Sequence, residues 1–187
     1  MDPSFFNQYV SCNSQELQEE LASIAILQQY KKGDLILKMG SAQTHFLPLY
    51  TGIACAYVLQ DDGTEIVDCI MSKPAMPTMP TADLSAPSPD YVQALTNCTL
   101  ITFEISEIQA RSATNPELGS YINRYLTRAW LDHFKLEDML RKATAHARYE
   151  WFLSEYPGVI DKIPHSRVAS FLGMSPITLS RIRTGAK

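Results

Sequence analysis

The last 25 residues, 163–187, carry the pattern that most constrains how this chain can fold. Small or apolar side chains recur at helical spacing on both sides of Gly173, at Val168, Ala169, Leu172, Leu179 and Ile182. Gly173 can adopt the left-handed conformation that ends a helix, and Ala169 is small enough to let a second helix cross closely. Ser175 is a favourable N-cap for that second helix, and Pro176 is a favourable first residue. The segment therefore predicts a helix-turn-helix.

The distribution of charge is consistent with contact between this segment and nucleic acid. From Ile163 onward the chain has four basic residues and no acidic one, although its net charge is -4. A basic patch on an acidic protein indicates local contact with phosphates. An ordinary helical hairpin with solvated arginines is the alternative, because helix-turn-helix patterns also arise by chance.

The size and composition of the chain indicate a cytoplasmic protein. Its 187 residues are 45% hydrophobic, which is enough for a packed core in one large domain or two small ones. It has neither an apolar run of membrane-spanning length nor the layout of a secretion signal at its N-terminus, so we expect no membrane association. The four cysteines and four histidines are dispersed, which predicts free, buried thiols and no metal site.

Charge changes sign along the chain. Residues 1–112 carry five Lys or Arg against thirteen Asp or Glu, whereas residues 145–187 carry six against three. An acidic N-terminal part and a basic C-terminal part indicate two modules with different partners.

The first half of the chain is rich in short strand-like segments. A helix over 14–27 is followed by segments of branched and aromatic residues separated by turn signals, at 35–38, 45–50, 53–59, 65–71, 91–95 and 99–103. Strands at intervals of about ten residues predict a small barrel or sandwich. The sequence Asp61-Asp-Gly-Thr predicts a tight hairpin. Residues 73–89 contain five prolines and predict an irregular loop, of a length that is often functional.

Residues 117–144 show the longest helical pattern, with short helices predicted before it at 104–113 and after it at 145–156. Two apolar stripes run along the long helix, which predicts that it is covered on two sides, by the barrel and by a twin helix. A helix buried completely within a monomer is the alternative. We assign the dimer contact of a parallel coiled coil to Leu118, Ile122, Tyr125, Ala129, His133, Leu136 and Leu140. The second stripe comprises Tyr121, Leu126, Trp130 and Phe134.

This order of barrel, long helix and helix-turn-helix resembles the Crp/Fnr superfamily of bacterial transcription regulators over nearly the whole chain. The segments that carry the resemblance are 30–40, 49–57, 148–157 and 168–183. The resemblance implies an α+β fold, in which a double-stranded β-roll of the cyclic nucleotide-binding jelly-roll type and an N-terminal helix occupy 1–115. A dimerisation helix over 116–144 and a helix-turn-helix domain over 145–187 would follow. It also implies a homodimer on double-stranded DNA, with RNA polymerase as a further partner and no enzymatic activity.

The sequence departs from the family at the cassette that binds the cyclic phosphate. Family members that bind cyclic nucleotide have a Gly-Glu pair and an Arg there, whereas residues 76–89 of this chain contain no Gly, Glu or Arg. Without the charge-assisted pair from that Arg we expect no cyclic-nucleotide cofactor. The pocket could be vestigial, could bind an apolar or uncharged effector, or could act as a scaffold. Its candidate lining residues are Met71, Met76, Thr78, Met79 and Tyr91.

The recognition helix also differs from the family pattern. Ser175-Pro-Ile-Thr stands where well-known members have Thr-Arg-Glu-Thr, whereas Arg181 matches the second base-reading Arg of the family and is our candidate for a guanine contact. The wing hairpin of the family is absent from the sequence, so we expect affinity that is modest or dependent on the dimer. The full predicted DNA-binding set is Ser166, Arg167, Ser175, Pro176, Thr178, Ser180, Arg181, Arg183 and Lys187.

Three classes of function follow from these observations. The leading prediction is a dimeric DNA-binding regulator without cyclic-nucleotide control. The second is a sensor or scaffold that has lost specific DNA binding and acts through protein contacts. The third, an enzyme of the cupin type, usually needs two or three histidines on neighbouring strands, and the predicted barrel contains only His45.

Overall fold

The structure, a computed structural model, describes residues 1–78 and 86–185. Over these residues the chain forms a 3-10 helix, Pro3–Asn7, followed by strands and α-helices. The strands are β1 (Ile26–Tyr30), β2 (Leu35–Leu37), β3 (His45–Phe46), β4 (Leu49–Thr51), β5 (Ala54–Leu59), β6 (Glu65–Met71), β7 (Tyr91–Ala94) and β8 (Cys98–Glu104). The helices are α1 (Gln15–Ile24), α2 (Ile105–Thr114), α3 (Pro116–Lys142), α4 (Ala145–Glu155), α5 (His165–Phe171) and α6 (Pro176–Thr184). Within this described part, no helix is both long and apolar enough to cross a membrane.

The strands pair in two antiparallel sheets. The first sheet has the order β1-β8-β3, with β4 also pairing with β8, and the second has the order β2-β7-β5-β6. The predicted tight turn joins β5 to β6, where Leu59 pairs with Glu65. Gly63 in this turn has φ +82° and donates its N–H to the carbonyl of Gln60 at 2.9 Å. The hairpin prediction is therefore confirmed.

The second sheet is covered on both faces, because successive side chains of a strand point to opposite sides. Ala54 and Ala56 of β5 pack in the cluster that lies between the two sheets. Their neighbours Cys55 and Tyr57 pack in a second cluster, which also contains Phe152, Val168 and Leu172 from the C-terminal helices. The C-terminal helices thus share a hydrophobic core with the outer face of this sheet.

The long helix α3 begins at a well-formed cap and spans about 40 Å at 1.5 Å per residue. The side chain of Asn115 accepts hydrogen bonds from the N–H groups of Glu117 and Leu118, at 3.0 and 3.2 Å. Pro116 follows as the first residue of the helix, where its missing N–H leaves no hydrogen bond unmade.

The stripe assigned to a twin helix lies partly in the protein's own core, and the assignment is corrected for three of its members. Leu118, Tyr125 and Leu136 are at most 5% exposed. Tyr125 donates its hydroxyl to the carbonyl of Ala75, so a second helix cannot replace these intramolecular contacts without opening the core. The other members of the stripe are half-buried Ile122, Ala129 and Leu140 and exposed His133. Exposed apolar side chains of α3 lie elsewhere, at Trp130, Leu131 and Phe134.

The C-terminal segment folds into three short helices, and the predicted cap at the start of the last one is confirmed. Ser175 accepts a hydrogen bond from the N–H of Thr178 at 3.0 Å and begins α6. Gly173, at φ +60°, lies in the turn between α5 and α6. Four of the five small or apolar residues of the predicted seam are buried, namely Val168, Ala169, Leu172 and Leu179. Ile182 is partly exposed.

Candidate nucleic-acid interface

Helix α6 presents a face that packs against no other part of the described chain. Leu179 anchors the opposite face at 1% exposure, whereas Ile177 is 67% exposed. Ser180, Arg181 and Thr184 are exposed as well. Residues three, four and seven positions apart lie on one side of a helix, so these four side chains form one outward stripe, which we call the α6 stripe.

Arg181 is the free cation of the α6 stripe. No hydrogen bond or ion pair joins its guanidinium to another residue within 1–78 or 86–185. Arg183, two residues further on, lies with its Nη1 2.9 Å from the imidazole of His165 on α5. Both arginines lie in the last turn of α6, near the negative end of its dipole.

Arg167 faces the second sheet, in contrast to the two arginines of α6. Its guanidinium forms an ion pair with the carboxylate of Glu65 at 2.8 Å and donates to the side-chain oxygen of Gln93 at 3.0 Å. It also lies over the ring of Tyr57 at 4.4 Å, and the side chain is only 12% exposed. In this structure Arg167 joins α5 to the sheet, and its predicted phosphate contact would require these bonds to break.

The other predicted DNA-binding residues lie around the start of α5 and α6. Ser166 and Pro176 are exposed, and the hydroxyls of Ser175 and Thr178 are 2.9 Å apart. Ser175, Pro176 and Thr178 therefore lie beside the start of the α6 stripe, and Ser166 is next in the chain to His165, which contacts Arg183. The prediction for Lys187 lies outside the described residues.

A cavity of about 310 Å³, which we call the inner cavity, lies between the second sheet and α3. Met71 and Met76 line it, as the sequence predicts. Thr78 does not, because it is buried and its hydroxyl donates to the carbonyl of Leu47 at 2.6 Å. Tyr91 lies on the opposite face of the sheet, where it stacks on Tyr57. Met79 lies outside the described residues.

Most of the polar and aromatic residues of the inner cavity were missed by sequence reasoning. Asp68 is on β6, Trp130, Asp132 and His133 are on α3, and Tyr156 follows α4. Local patterns contain no signal for such a set, because its members are brought together by contacts between distant parts of the chain. The two apolar stripes predicted along α3 came nearest to indicating these residues. Trp130 belongs to one stripe and His133 to the other, and both line the cavity.

The cysteines are free thiols, and three of the four are buried, as predicted. Desolvation is the largest cause of their altered acidity: burial raises the pKa of Cys55 to about 11 and the pKa of Cys69 to about 12. Among the described residues, no group of three or more His, Cys, Asp or Glu side chains is arranged to hold a metal ion.

The fold is similar to that of Crp/Fnr regulators, which have a cyclic-nucleotide-binding fold and are transcriptional regulators rather than enzymes. One such structure is FixK2 from Bradyrhizobium japonicum, with TM-score 0.72 and 16% identity over 87% of this chain and 84% of that one. Another is the c-di-GMP responsive regulator CLP from Xanthomonas campestris, with TM-score 0.69 and 14% identity over 92% and 91%. A regulator of the Crp/Fnr family from Eubacterium rectale matches with TM-score 0.65 and 18% identity over 92% and 82%. No protein-family model matches the sequence, and no curated protein matches it significantly.

Proposed function

We propose that this chain is a transcription regulator of the Crp/Fnr type that binds double-stranded DNA as a homodimer, without control by cyclic nucleotide. In this proposal residues 1–115 form a jelly-roll sensor, residues 116–144 the dimerisation helix, and residues 145–187 a helix-turn-helix domain. The observation that carries the proposal is the α6 stripe, in which the exposed guanidinium of Arg181 has no partner among the described residues.

The α6 stripe has the chemistry needed to read a major groove. A guanidinium donates two hydrogen bonds to the O6 and N7 atoms of guanine, and Arg181 is free to do so. The hydroxyls of Ser175, Thr178 and Ser180 can form hydrogen bonds to phosphates or base edges. We assign phosphate contacts to Arg183, Ser166 and Lys187, and to Arg167 only if its contacts with the second sheet are released.

The charge of the inner cavity supports the absence of cyclic-nucleotide control. Among the described residues that line it there is no Lys or Arg, and residues 79–85 add no basic residue by sequence. A cyclic phosphate placed there would lack the positive partner that offsets its desolvation.

The test is selection of bound sites from random duplex DNA, followed by titration of the selected site. We expect an inverted repeat whose half-sites are about one helical turn apart, and a binding constant that falls steeply with salt. Arg181→Ala should weaken binding by about 1–3 kcal/mol. The matched control is Arg141→Ala, which removes an arginine with a 74% exposed side chain from α3 and should leave binding unchanged. Absence of binding at low salt would refute the proposal.

A scaffold that acts through protein contacts is the second candidate, and it is favoured by one specific observation. Ile177 is 67% exposed at a position where the family has a polar base-reading residue. An exposed isoleucine can also mark a protein contact. Failure to select any DNA site, together with an intact fold, would favour this candidate over the first.

A further inference from the structure

The inner cavity has walls suited to an organic ligand. Its aromatic residues are Tyr9 from the N-terminal segment, Phe46 from β3, Trp130 from α3, and Tyr156. Together with Met71 and Met76 they make a largely apolar lining, and its volume of about 310 Å³ is at the lower end of the range for small-molecule sites. The shape and lining alone do not select between ligands of different charge.

The charged groups of the cavity favour a cationic ligand over an anionic one. Asp68 and Asp132 line it, and the described part of the lining includes neither Lys nor Arg. Asp132 already accepts hydrogen bonds from the hydroxyl of Tyr9 at 2.9 Å and from Nε of Arg128 at 3.1 Å. The carboxylate of Asp68, in contrast, has no hydrogen bond or ion pair with any described residue. It is therefore the open acceptor of the cavity.

Tyr156 provides a second open group. The residue is only 8% exposed and lines the cavity, but within the described residues its hydroxyl has no hydrogen-bond partner. Desolvation raises the pKa of this phenol above its usual value, so the hydroxyl stays protonated and neutral. Because this hydroxyl has no protein partner among the described residues, a ligand in the cavity could supply one.

We propose that the inner cavity binds a small organic cation, such as a primary amine on an aromatic body. The ammonium group donates to the carboxylate of Asp68 and to the oxygen of Tyr156, and the body packs against Phe46 and Trp130. Aromatic faces attract cations, and at the border of this lining Lys73 already lies over the ring of Tyr156 and Arg128 over the ring of Tyr9. The proposal deepens the regulator function by naming the class of effector, and it rests on that function only for its consequence in DNA binding.

The test compares probes of matched shape and different charge by isothermal titration calorimetry on the full chain. The probes are 2-phenylethylamine, 2-phenylethanol and 3-phenylpropionate, with cyclic AMP as the phosphate. We expect the amine to bind at least tenfold more tightly than the alcohol, and the two anions to bind more weakly still. Equal or tighter binding of either anion would overturn the proposal, as would the absence of amine binding at millimolar concentration.

Three variants locate the site. Asp68→Asn keeps the shape of the side chain and should weaken binding of the amine at least tenfold, whereas Asp61→Asn, in the exposed β5–β6 turn, should not change it. Tyr156→Phe removes only the unpartnered hydroxyl, so it should weaken binding of the amine without lowering the melting temperature. Unchanged affinity in Asp68→Asn would place the ligand elsewhere and reject the assignment.

DNA binding is measured separately on the same preparations without any probe. If the amine fails to bind while DNA binding and its dependence on Arg181 persist, the effector class is wrong and the regulator function stands. If the amine binds and no DNA site is selected, the cavity assignment stands without the regulator function.

Discussion

At the scale of single residues, Ile177 is the least expected side chain of the candidate interface. It lies at the second position of α6, two-thirds exposed, and belongs to the α6 stripe with Arg181. Apolar side chains read the C5 methyl group of thymine in the major groove. Four residues of helix span about 6 Å, and base pairs are about 3.4 Å apart. A thymine read by Ile177 would therefore lie within about two base pairs of the guanine read by Arg181.

Replacement of that thymine by uracil, which lacks only the methyl group, should weaken binding by about 1 kcal/mol. Ile177→Ala should bind the thymine and uracil sites equally, because the partner of the methyl group is gone. The measurement is a two-by-two titration of both proteins with both sites. Uracil placed outside the half-sites serves as the control, and an undiminished preference for thymine in Ile177→Ala would contradict the contact.

Cys55 and Cys69 make stability depend on pH in the alkaline range. A thiol in the unfolded chain loses its proton near pH 8.5, whereas burial holds the pKa of these thiols at about 11 and about 12 in the folded chain. A raised pKa in the folded state means that the stabilisation is fully present below about pH 8.5 and is lost as pH rises towards these values. The slope should reach about 1.4 kcal/mol per pH unit for each thiol.

Urea unfolding at pH 7 to 10 measures this slope. Cys69→Ala should lower the stability at pH 7, because it removes a sulfur atom that packs against the core, but should also flatten the decline above pH 8.5. A decline as steep as that of the unmodified protein would show that Cys69 does not contribute to it. Tyrosines with raised pKa add to the decline only above about pH 10, so the range up to pH 10 isolates the thiols.

At the scale of elements, the turn between β4 and β5 depends on one glycine. Gly52 has φ +102°, and a Cβ atom there would lie 2.5 Å from the carbonyl oxygen of Asn97 and 2.7 Å from Sγ of Cys98. The backbone of the neighbouring segment, rather than a flexible side-chain end, blocks the space. Sequence alone marked Gly52 as part of a turn and contained no sign of this close approach.

Gly52→Ala should therefore destabilise the protein by several kcal/mol, from the clash and the backbone conformation together. Gly63→Ala is the matched control, since Gly63 has φ +82° with no atom within 4 Å of the added Cβ and should cost only about 1–2 kcal/mol. Chemical denaturation of both variants measures the difference. Equal losses would mean that the neighbouring segment moves away at little cost.

Helix α3 shows what an element's pattern can and cannot predict. The apolar residues on two sides predicted a helix covered twice, but the described chain covers one side and leaves Trp130, Leu131 and Phe134 exposed. Sequence could not say which side the sheets cover, and the dimer stripe was assigned to residues such as Leu118 and Tyr125 that the protein's own core buries. The reason is physical: an apolar side chain gains the same free energy from any apolar partner, so periodicity does not identify the partner.

At the scale of the whole molecule, α3 retains an apolar patch that its own chain leaves exposed. Trp130 and Phe134 stack at 5.5 Å and are 62% and 51% exposed, with Leu131 beside them. Exposed aromatic clusters of this kind are typical of interfaces. We therefore expect the homodimer to form through this patch.

The double variant Trp130→Ser with Phe134→Ser should raise the dissociation constant of the dimer at least a hundredfold, because aromatic anchors contribute roughly 2 kcal/mol each. Sedimentation equilibrium measures it. Ile26→Ser is the control, because Ile26 on β1 is also 67% exposed but lies on another element. A double variant that dimerises as well as the unmodified protein would assign the interface to another surface.

Local sequence patterns predicted most of the elements and several of their ends, whereas the first helix, predicted over 14–27, ends at Ile24 and is followed by the unpredicted strand β1. Ser14 and Ser175 cap helices as predicted, and the turn at Gly63 forms where its conformational freedom is needed, whereas Thr144, predicted inside the long helix, caps the next one. Capping and turn formation depend on residues a few positions apart, so they can be predicted from sequence.

Which side chains remain exposed and unpaired depends on tertiary contacts. Arg167 and Arg181 belong to the same basic segment, but Glu65, 102 residues away, pairs with Arg167 and holds it on the second sheet, whereas the guanidinium of Arg181 has no partner within the described residues. The inner cavity likewise joins Asp68 of β6 with Trp130 of α3 and Tyr156 beyond α4. Contacts between distant residues depend on how the elements pack, and local sequence patterns do not contain that information.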